Sequence, residues 1–254
     1  MTEFQSLSSD GVEIVYLDEG AGDAVLLIHG FASNVTANWI DPGWVRALTK
    51  AGYRIIAYDN RGHGRSEKLY DETAYGAGIM AEDARRLLDH LGIARAHVMG
   101  YSMGARITAF LMDAHPQRVR SAVFGGLGIN MVRGLAGAKP IAHALLAPSL
   151  ADVTNRTAQT FRAFAESTRS DLRALAACIL SSRRPVTPDQ LARIRVPVLV
   201  AVGTEDVIGG SAAELAALIP GAQALAIAGR DHMKAVGDKV FKETVVAFLG
   251  GVRE

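Results

Sequence analysis

In the middle of the chain, a serine with a glycine two residues before it and two residues after it lies between an apolar run and a helical pattern. The stretch Gly100-Tyr101-Ser102-Met103-Gly104 fits the pattern G-x-S-x-G, with an apolar run before it and helical spacing after it. A serine hydroxyl becomes a nucleophile when a base takes its proton and N–H groups stabilise the charge that develops. A sharp strand-to-helix turn exposes the hydroxyl and puts the next N–H at a helix N-terminus. The pattern therefore predicts Ser102 as a nucleophile, against the alternative of a serine that only shapes a turn.

The elements that would position this serine alternate along most of the chain. Short apolar runs are separated by helical patterns, which is typical of βαβ units with right-handed crossovers. Most runs are continuous rather than alternating, as expected of a parallel sheet that is covered on both faces. The runs that predict strands are residues 12–17, 24–29, 54–59, 96–101, 121–126, 197–203 and 223–229. The sequence thus predicts an α/β fold with a mostly parallel, doubly wound sheet.

The alternation breaks once, in a stretch of about sixty residues without a strand-like run. Helical spacing there places Phe161 and Phe164 on one face of a helix, and Ser170 is predicted as the N-cap of the next helix. Inserted helices above a parallel sheet usually cover a site. We expect a small helical cap, the alternative being a helical decoration without a role in a site. The predicted division is a core of residues 1–128 and 189–254 and a cap of residues 129–188.

Composition and charge argue against several classes of protein. Hydrophobic residues make up 49% of the chain and charged residues 21%, so a large core is available. The net charge of +1 and the lack of a basic stripe argue against a nucleic-acid partner. No stretch approaches the roughly 18 apolar residues of a membrane span, and the first residues lack a basic or apolar leader pattern. The lone Cys178 excludes an internal disulfide, so we expect a soluble, cytoplasmic protein; nothing indicates its oligomeric state.

Metal and dinucleotide motifs are also missing from the sequence. There is no H-E-x-x-H and there are no paired cysteines. The Gly-rich stretch GGLGIN, residues 125–130, lacks the last glycine of a dinucleotide fingerprint. We therefore expect the protein to use neither a metal nor a cofactor.

Separated motifs resemble those of the α/β-hydrolase fold superfamily, in particular its capped serine hydrolases such as carboxylesterases and lactonases. LLIHGFAS, residues 26–33, resembles the oxyanion loop, and YDNRGHGRS, residues 58–66, resembles the D-x-R-G-x-G-x-S turn. GYSMG resembles the nucleophile elbow. VGTEDVI, residues 202–208, and AGRDHM, residues 228–233, resemble the loops that carry the acid and the histidine. The resemblance covers nearly the whole chain outside the predicted cap.

This resemblance implies a catalytic triad of Ser102, Asp206 and His232, in the chain order typical of the fold. The family's spacing favours Asp206 over the neighbouring carboxylate of Glu205. It also implies that the backbone N–H groups of Phe31 and Met103 form the oxyanion hole, with the Phe31 ring as a wall of the pocket. An aspartate at the elbow would imply haloalkane or epoxide chemistry, which the serine argues against.

Other motif positions are expected to play structural parts. Some relatives carry the acid one strand earlier, where this chain offers only Asn130, which cannot ionise. By family practice His29 and His63 brace loops through hydrogen bonds. His143 lies in the predicted cap, where a surface position and a substrate contact are both open.

The function that the resemblance implies is cleavage of carboxylic ester or lactone bonds through an acyl-enzyme. The partner would be a small, largely apolar molecule, because the cap is short and rich in Ala, Leu and Phe, which predicts a modest apolar acyl pocket. A cofactor-free perhydrolase, a haloperoxidase-like enzyme and a carbon–carbon bond hydrolase could use the same triad. A non-catalytic ligand receptor is the third class, and a complete triad argues against it.

Overall fold

The computed structural model describes residues 3–134 and 137–252. A single β-sheet forms the centre of the fold in these residues. Within those residues the strands are β1 (Phe4–Ser9), β2 (Val12–Glu19), β3 (Ala24–Ile28), β4 (Arg54–Tyr58), β5 (Ala96–Tyr101), β6 (Val119–Gly125), β7 (Val198–Gly203) and β8 (Gln223–Ile227). Their order across the sheet is β1-β2-β4-β3-β5-β6-β7-β8. Only β2 pairs antiparallel, with both β1 and β4, and the other described pairs are parallel. The predicted mostly parallel α/β sheet is confirmed.

Helices pack on both faces of the sheet. In chain order they are α1 (Trp44–Lys50), α2 (Ala77–His90), α3 (Met103–Ala114), α4 (Asn130–Arg133), α5 (Ala138–Leu146), α6 (Arg156–Ser167), α7 (Leu172–Ser181), α8 (Pro188–Ala192), α9 (Ala212–Ala216) and α10 (Lys239–Gly251). The apolar residues of α2, α3 and α9 join one buried cluster, and those of α1 and α10 join another. The sheet is therefore doubly wound, as predicted.

The central strand β3 shows why its residues form a continuous apolar run. Leu26 and Ile28 pack into the cluster of α2 and α3, whereas Val25 and Leu27 pack into the cluster of α1 and α10. Successive side chains of a strand point to opposite faces, so a strand covered on both faces buries every residue. Each of the four side chains is fully buried, and burial of such a side chain stabilises the fold by about 1.5–3 kcal/mol.

Strand β1 lies outside the seven predicted strands. It is the edge strand beside β2, and its sequence, FQSLSS, buries only Leu7 and Ser9. An edge strand that is solvated on one side needs no continuous apolar run, so the criterion that found the other strands does not find this one.

The predicted cap segment, residues 129–188, consists mainly of the helices α4 to α7, which follow β6. Helix α5 packs on both α6 and α7, and buried residues such as Ile141 and Leu175 join the same cluster as α2 and α3. Residues 135 and 136 of the segment lie outside the described residues, as do residues 1, 2, 253 and 254 of the predicted core. The division into core and cap stays a prediction.

One predicted helix start within the cap segment is wrong. The N-cap of α7 is Asp171, whose Oδ1 accepts the N–H groups of Arg173 and Ala174, each at 3.0 Å. The hydroxyl of Ser170, the predicted cap, lies instead 2.9 Å from that of Thr168. Ser170 is thus engaged by the end of the preceding helix, which leaves capping to the next residue.

Candidate active site

Ser102 lies in a sharp turn between β5 and α3. Its φ of +54° is in the left-handed region, which is uncommon for a residue other than glycine. A Cβ on Gly100 would lie 2.2 Å from the Gly104 carbonyl oxygen, and a Cβ on Gly104 would lie 1.9 Å from that of Ile28. Side chains at these two positions would therefore force strand and helix apart. The glycines allow the close approach that holds the serine in its strained conformation.

The three residues predicted as a triad come together although they are far apart in the sequence. His232 Nε2 lies 3.0 Å from Ser102 Oγ, and His232 Nδ1 lies 2.8 Å from Asp206 Oδ2. If Nδ1 carries the hydrogen and donates it to the carboxylate, Nε2 accepts from the serine hydroxyl. In this arrangement the imidazole can take the serine proton, and the carboxylate can orient the ring and stabilise its charged form.

The two adjacent acids differ in their surroundings. The Asp206 side chain is buried, and its Oδ1 accepts the N–H groups of Ile208 at 2.9 Å and Gly209 at 2.8 Å. Together with the imidazole, these donors satisfy the buried carboxylate and fix its direction. Glu205 is exposed at the edge of a cavity. Only Asp206 is in contact with the histidine.

Two further side chains donate hydrogen bonds to the loops that carry the histidine and the acid, and neither was among the predicted site residues. The Tyr101 hydroxyl donates to the His232 carbonyl oxygen at 2.7 Å, and the centroids of the two rings lie 5.6 Å apart. The Asn130 amide donates to the Ile208 carbonyl oxygen at 3.0 Å, beside the acid. Tyr101 directly precedes the nucleophile, and burial raises the pKa of its hydroxyl. Its place at the end of a buried strand is the only sequence signal that could have identified it.

The predicted oxyanion donors lie in two segments, the elbow itself and the loop after β3. Met103 is the first residue of α3, and Phe31 follows β3 in a loop. That loop lies against the serine, since a Cβ on Gly30 would be 3.4 Å from the Cβ of Ser102, and the Gly30 N–H donates to Asn38 Oδ1 at 3.0 Å. Within residues 3–134 and 137–252, the N–H groups of Phe31 and Met103 donate to no protein acceptor. Both donors are thus free to stabilise an oxyanion.

Two buried histidines lie beneath the same loop. His29 Nδ1 is 2.7 Å from the carbonyl oxygen of Gly30, and its Nε2 accepts the N–H of Asn60 at 2.9 Å. His63 Nδ1 is 3.0 Å from the Arg61 carbonyl oxygen, and the ring centroids of the two histidines lie 5.3 Å apart. Burial lowers the pKa of His29 to about 4 and that of His63 to about 3. Both rings are neutral near pH 7 and brace the loop.

A cavity of about 640 Å³, here called the large cavity, opens onto Ser102 and His232. Phe161 and Phe164 of α6 line it from the cap segment, and the Phe161 ring centroid lies 5.9 Å from that of Phe31. The volume is in the usual range for small-molecule sites. Both aromatic rings of the predicted cap therefore face the cavity as well as packing against their neighbours.

The described residues contain no cluster of three or more His, Cys, Asp and Glu side chains that could hold a metal ion. His143 is exposed on α5 and does not line the large cavity. In the part of the chain that the structure describes, no helix has both the length and the apolar character to span a membrane.

Comparison with known sequences gives one family match in the N-terminal half and several relatives that align over part of the chain. The family described as "alpha/beta hydrolase fold" matches residues 23–132. A curated relative, the non-heme chloroperoxidase CPO-A1 of Kitasatospora aureofaciens, is 41% identical over 115 residues, which are 45% of this chain and 40% of the relative. The chain thus aligns with about two fifths of the length of such curated relatives.

Comparison with solved structures extends over nearly the whole chain. A hydrolase from Pseudomonas aeruginosa PA01 has a TM-score of 0.81 and 26% identity, with 98% of each chain covered. An esterase from Exiguobacterium antarcticum has a TM-score of 0.81 and 21% identity, and covers 99% of this chain and 100% of its own. At this identity the second likeness shows the fold alone.

Proposed function

Since the chain belongs to the α/β-hydrolase fold superfamily, we propose that it is a serine hydrolase that cleaves carboxylic ester or lactone bonds of small, largely apolar substrates. The observation that carries the proposal is the hydrogen-bond chain from Ser102 through His232 to Asp206, which faces a cavity of about 640 Å³. A receptor would bind its ligand without needing these hydrogen bonds between serine, histidine and aspartate.

In the proposed reaction, Ser102 Oγ attacks the carbonyl carbon while His232 Nε2 takes the hydroxyl proton. The N–H groups of Phe31 and Met103 stabilise the oxyanion, and removal of one such donor costs on the order of 100–1,000-fold in rate. His232 then gives its proton to the leaving alcohol, which departs and leaves an acyl-enzyme on Ser102. Water, deprotonated by the same imidazole, releases the acid and restores the serine.

The direction of the leaving group follows from where the histidine lies. The leaving oxygen must come within hydrogen-bond distance of His232 Nε2 to take its proton. His232 lines the large cavity, together with the apolar side chains of Phe161 and Phe164. The large cavity therefore suits the alcohol part of an ester, rather than the acyl part that the cap's composition led us to expect there, and apolar alcohols are the expected leaving groups.

A panel of 4-nitrophenyl and benzyl esters, assayed with the native protein and the Ser102→Ala variant, tests the proposal. We expect hydrolysis by the native protein and a loss of at least about 1,000-fold in the variant, with unchanged thermal unfolding. Binding of the esters without turnover by the native protein would favour a receptor and overturn the proposal.

Perhydrolysis is a second candidate, favoured by the 41% identity to a non-heme chloroperoxidase over 115 residues. The same acyl-enzyme would be attacked by hydrogen peroxide instead of water, giving a peracid. Peracid formation from acetate and hydrogen peroxide, measured beside ester hydrolysis, distinguishes the two reactions.

A further inference from the structure

The Gly-rich stretch at the end of β6, which lacks the pattern of a dinucleotide fingerprint, makes room for the ring of Tyr101. A Cβ on Gly125 would lie 2.8 Å from Tyr101 Cδ2, and a Cβ on Gly126 would lie 2.6 Å from Cζ and 3.0 Å from the hydroxyl oxygen. Gly126 also has a φ of +63°, a conformation that favours glycine. Larger residues at these positions would push the ring away. The two glycines thus leave the space that fixes where the Tyr101 hydroxyl lies.

From this position the hydroxyl reaches the backbone of the proposed base. It donates to the His232 carbonyl oxygen at 2.7 Å, and the centroids of the two rings lie 5.6 Å apart. Tyr101 is only 4% exposed, and burial raises the pKa of its hydroxyl, to which the charges of Asp206 and Asp231 add. The hydroxyl therefore stays protonated, and able to donate, over the pH range in which an imidazole works as a base.

Tyr101 is fixed by the same strand as the nucleophile. It is the last residue of β5 and pairs with Gly125 of β6, and Ser102 donates its N–H to the Gly125 carbonyl oxygen at 2.7 Å. The nucleophile and the group that contacts the histidine backbone are thus adjacent residues. The bond from Tyr101 to His232 therefore ties both ends of the 3.0 Å contact between His232 Nε2 and Ser102 Oγ to one short segment.

Other contacts of the loop that carries the histidine lie further from His232. The Gly229 N–H donates to Thr204 Oγ1 at 2.9 Å, and Trp44 Nε1 donates to the Val236 carbonyl oxygen at 2.6 Å. These bonds hold the loop before and after the histidine, but neither reaches the residue that carries the imidazole. Loss of the Tyr101 hydroxyl should therefore leave the loop folded and give His232 more freedom to move.

We propose that Tyr101 is a positioning residue, whose hydroxyl holds the backbone of His232 so that the imidazole meets both Ser102 and the leaving alcohol. This proposal rests on the proposed ester hydrolysis and adds to it a dependence on the leaving group. An alkoxide is a poor leaving group and must receive a proton from His232 as it departs, whereas 4-nitrophenolate is stable enough to leave without one. Tyr101 should therefore matter most for esters of ordinary alcohols.

The test compares two esters of the same acid in the variant Tyr101→Phe, which keeps the ring and removes only the hydroxyl. We expect kcat/KM for benzyl butanoate to fall by about 10- to 100-fold, because displacement of a reacting group by about 1 Å can cost about 100-fold in rate. For 4-nitrophenyl butanoate we expect a fall of less than about 5-fold. A fall for the 4-nitrophenyl ester that equals or exceeds that for the benzyl ester, or no fall for either, would overturn the proposal.

The matched control is Tyr75→Phe. Tyr75 is 3% exposed, and its hydroxyl donates to the Leu69 carbonyl oxygen at 2.7 Å, so it makes the same kind of buried bond to a loop. It does not line the large cavity. Both variants lose one buried hydrogen bond and should lower the melting temperature by similar amounts, but only Tyr101→Phe should change the ratio of the two kcat/KM values. An equal change of that ratio in Tyr75→Phe would show a general effect of stability and would contradict the proposal.

Labelling of Ser102 by a fluorophosphonate tests the positioning without ester turnover. His232 must still take the serine proton, so Tyr101→Phe should be labelled about 3-fold or more slowly than the native protein and Tyr75→Phe. If the native protein is labelled but cleaves neither ester, slower labelling of Tyr101→Phe would support the positioning role while the proposed hydrolysis fails. If the esters are cleaved and Tyr101→Phe matches the native protein in both the ester ratio and the labelling rate, the hydrolysis stands and the positioning role fails. A native protein that is neither labelled nor active would overturn both.

Discussion

The elbow around Ser102 and the cap segment border the same cavity, yet different kinds of contact hold them. At the elbow the close approach of two backbone segments is the constraint, because a Cβ on Gly104 would lie 1.9 Å from a carbonyl oxygen. The cap segment contributes side chains, such as Phe161 and Phe164, and one of its links to the oxyanion loop is the Thr168 hydroxyl, which donates to the Ala32 carbonyl oxygen at 2.8 Å. Chemistry and specificity should therefore respond separately to mutation.

Among variants that keep Ser102, the largest effect on turnover is expected from Asp206→Asn. The amide keeps the size of the side chain but removes the charge that stabilises the imidazolium, and it can hold the wrong tautomer of His232. Loss of this charge in such triads costs about 10,000-fold in kcat. Glu205→Gln is the matched control, because Glu205 is the adjacent, exposed acid and should lose little activity. If Glu205→Gln is the inactive variant, the assignment of the acid is wrong.

The next effect concerns the backbone of the elbow. Gly104→Ala should destabilise the protein by about 3 kcal/mol and lower activity, since the methyl group meets the Ile28 carbonyl oxygen and cannot be accommodated by a rotamer change. Gly78→Ala in α2 is the control, because its Cβ meets open space, and alanine should stabilise that helix by up to about 1 kcal/mol. Urea unfolding measures both changes. Equal stability of the two variants would contradict the role given to Gly104.

A smaller effect, confined to specificity, is expected from the cap aromatics. Phe161→Ala and Phe164→Ala should each lower kcat/KM for esters of long apolar alcohols by about 1–3 kcal/mol, or roughly 5- to 150-fold, with little change for methyl esters. Leu146→Ala is the control, since Leu146 is 57% exposed on α5 and lies outside the large cavity. An unchanged ranking of chain lengths together with lower thermal stability would make the cap residues structural only.

The protein should also lose stability in mild acid, gradually with each pH unit. The folded state holds the pKa of His29 at about 4 against an ordinary 6.5, so the unfolded chain binds a proton that the folded protein refuses. The contribution is complete above pH 6.5 and is lost as the pH falls towards 4, by up to about 1.4 kcal/mol per pH unit. Urea unfolding at pH 7 and pH 5 should show this fall. The slope should be shallower in His29→Gln and unchanged in His143→Asn, which alters an exposed histidine of the cap segment.

The parts that sequence could predict are those whose pattern reflects a local constraint. Continuous apolar runs predicted the buried strands, and the spacing of glycines about Ser102 predicted a turn that the structure has. The edge strand β1 was not predicted, because it is a strand through its pairing with β2 and its composition has no apolar run. Ser170 was expected to cap a helix, but a contact with Thr168 from the preceding helix engages its hydroxyl. Such contacts between distant or competing groups leave no periodic signal.

The site shows the same limit. Ser102 and the loops that carry the acid and the histidine resemble motifs, so they could be named before any distance was measured. Asn130 was noted only as a residue that cannot ionise, and only folding brings its amide to the Ile208 carbonyl oxygen beside the acid. Tyr101 likewise gains its contact with the backbone of His232 from the tertiary structure.

The most direct test of the account is to find the residue that a fluorophosphonate probe labels. Intact-mass measurement should show one label per chain, and tandem mass spectrometry should place it on Ser102. Labelling should vanish in Ser102→Ala and slow strongly in Asp206→Asn. A label on any other residue, or full ester hydrolysis by Ser102→Ala, would contradict the assignment of Ser102 as the nucleophile.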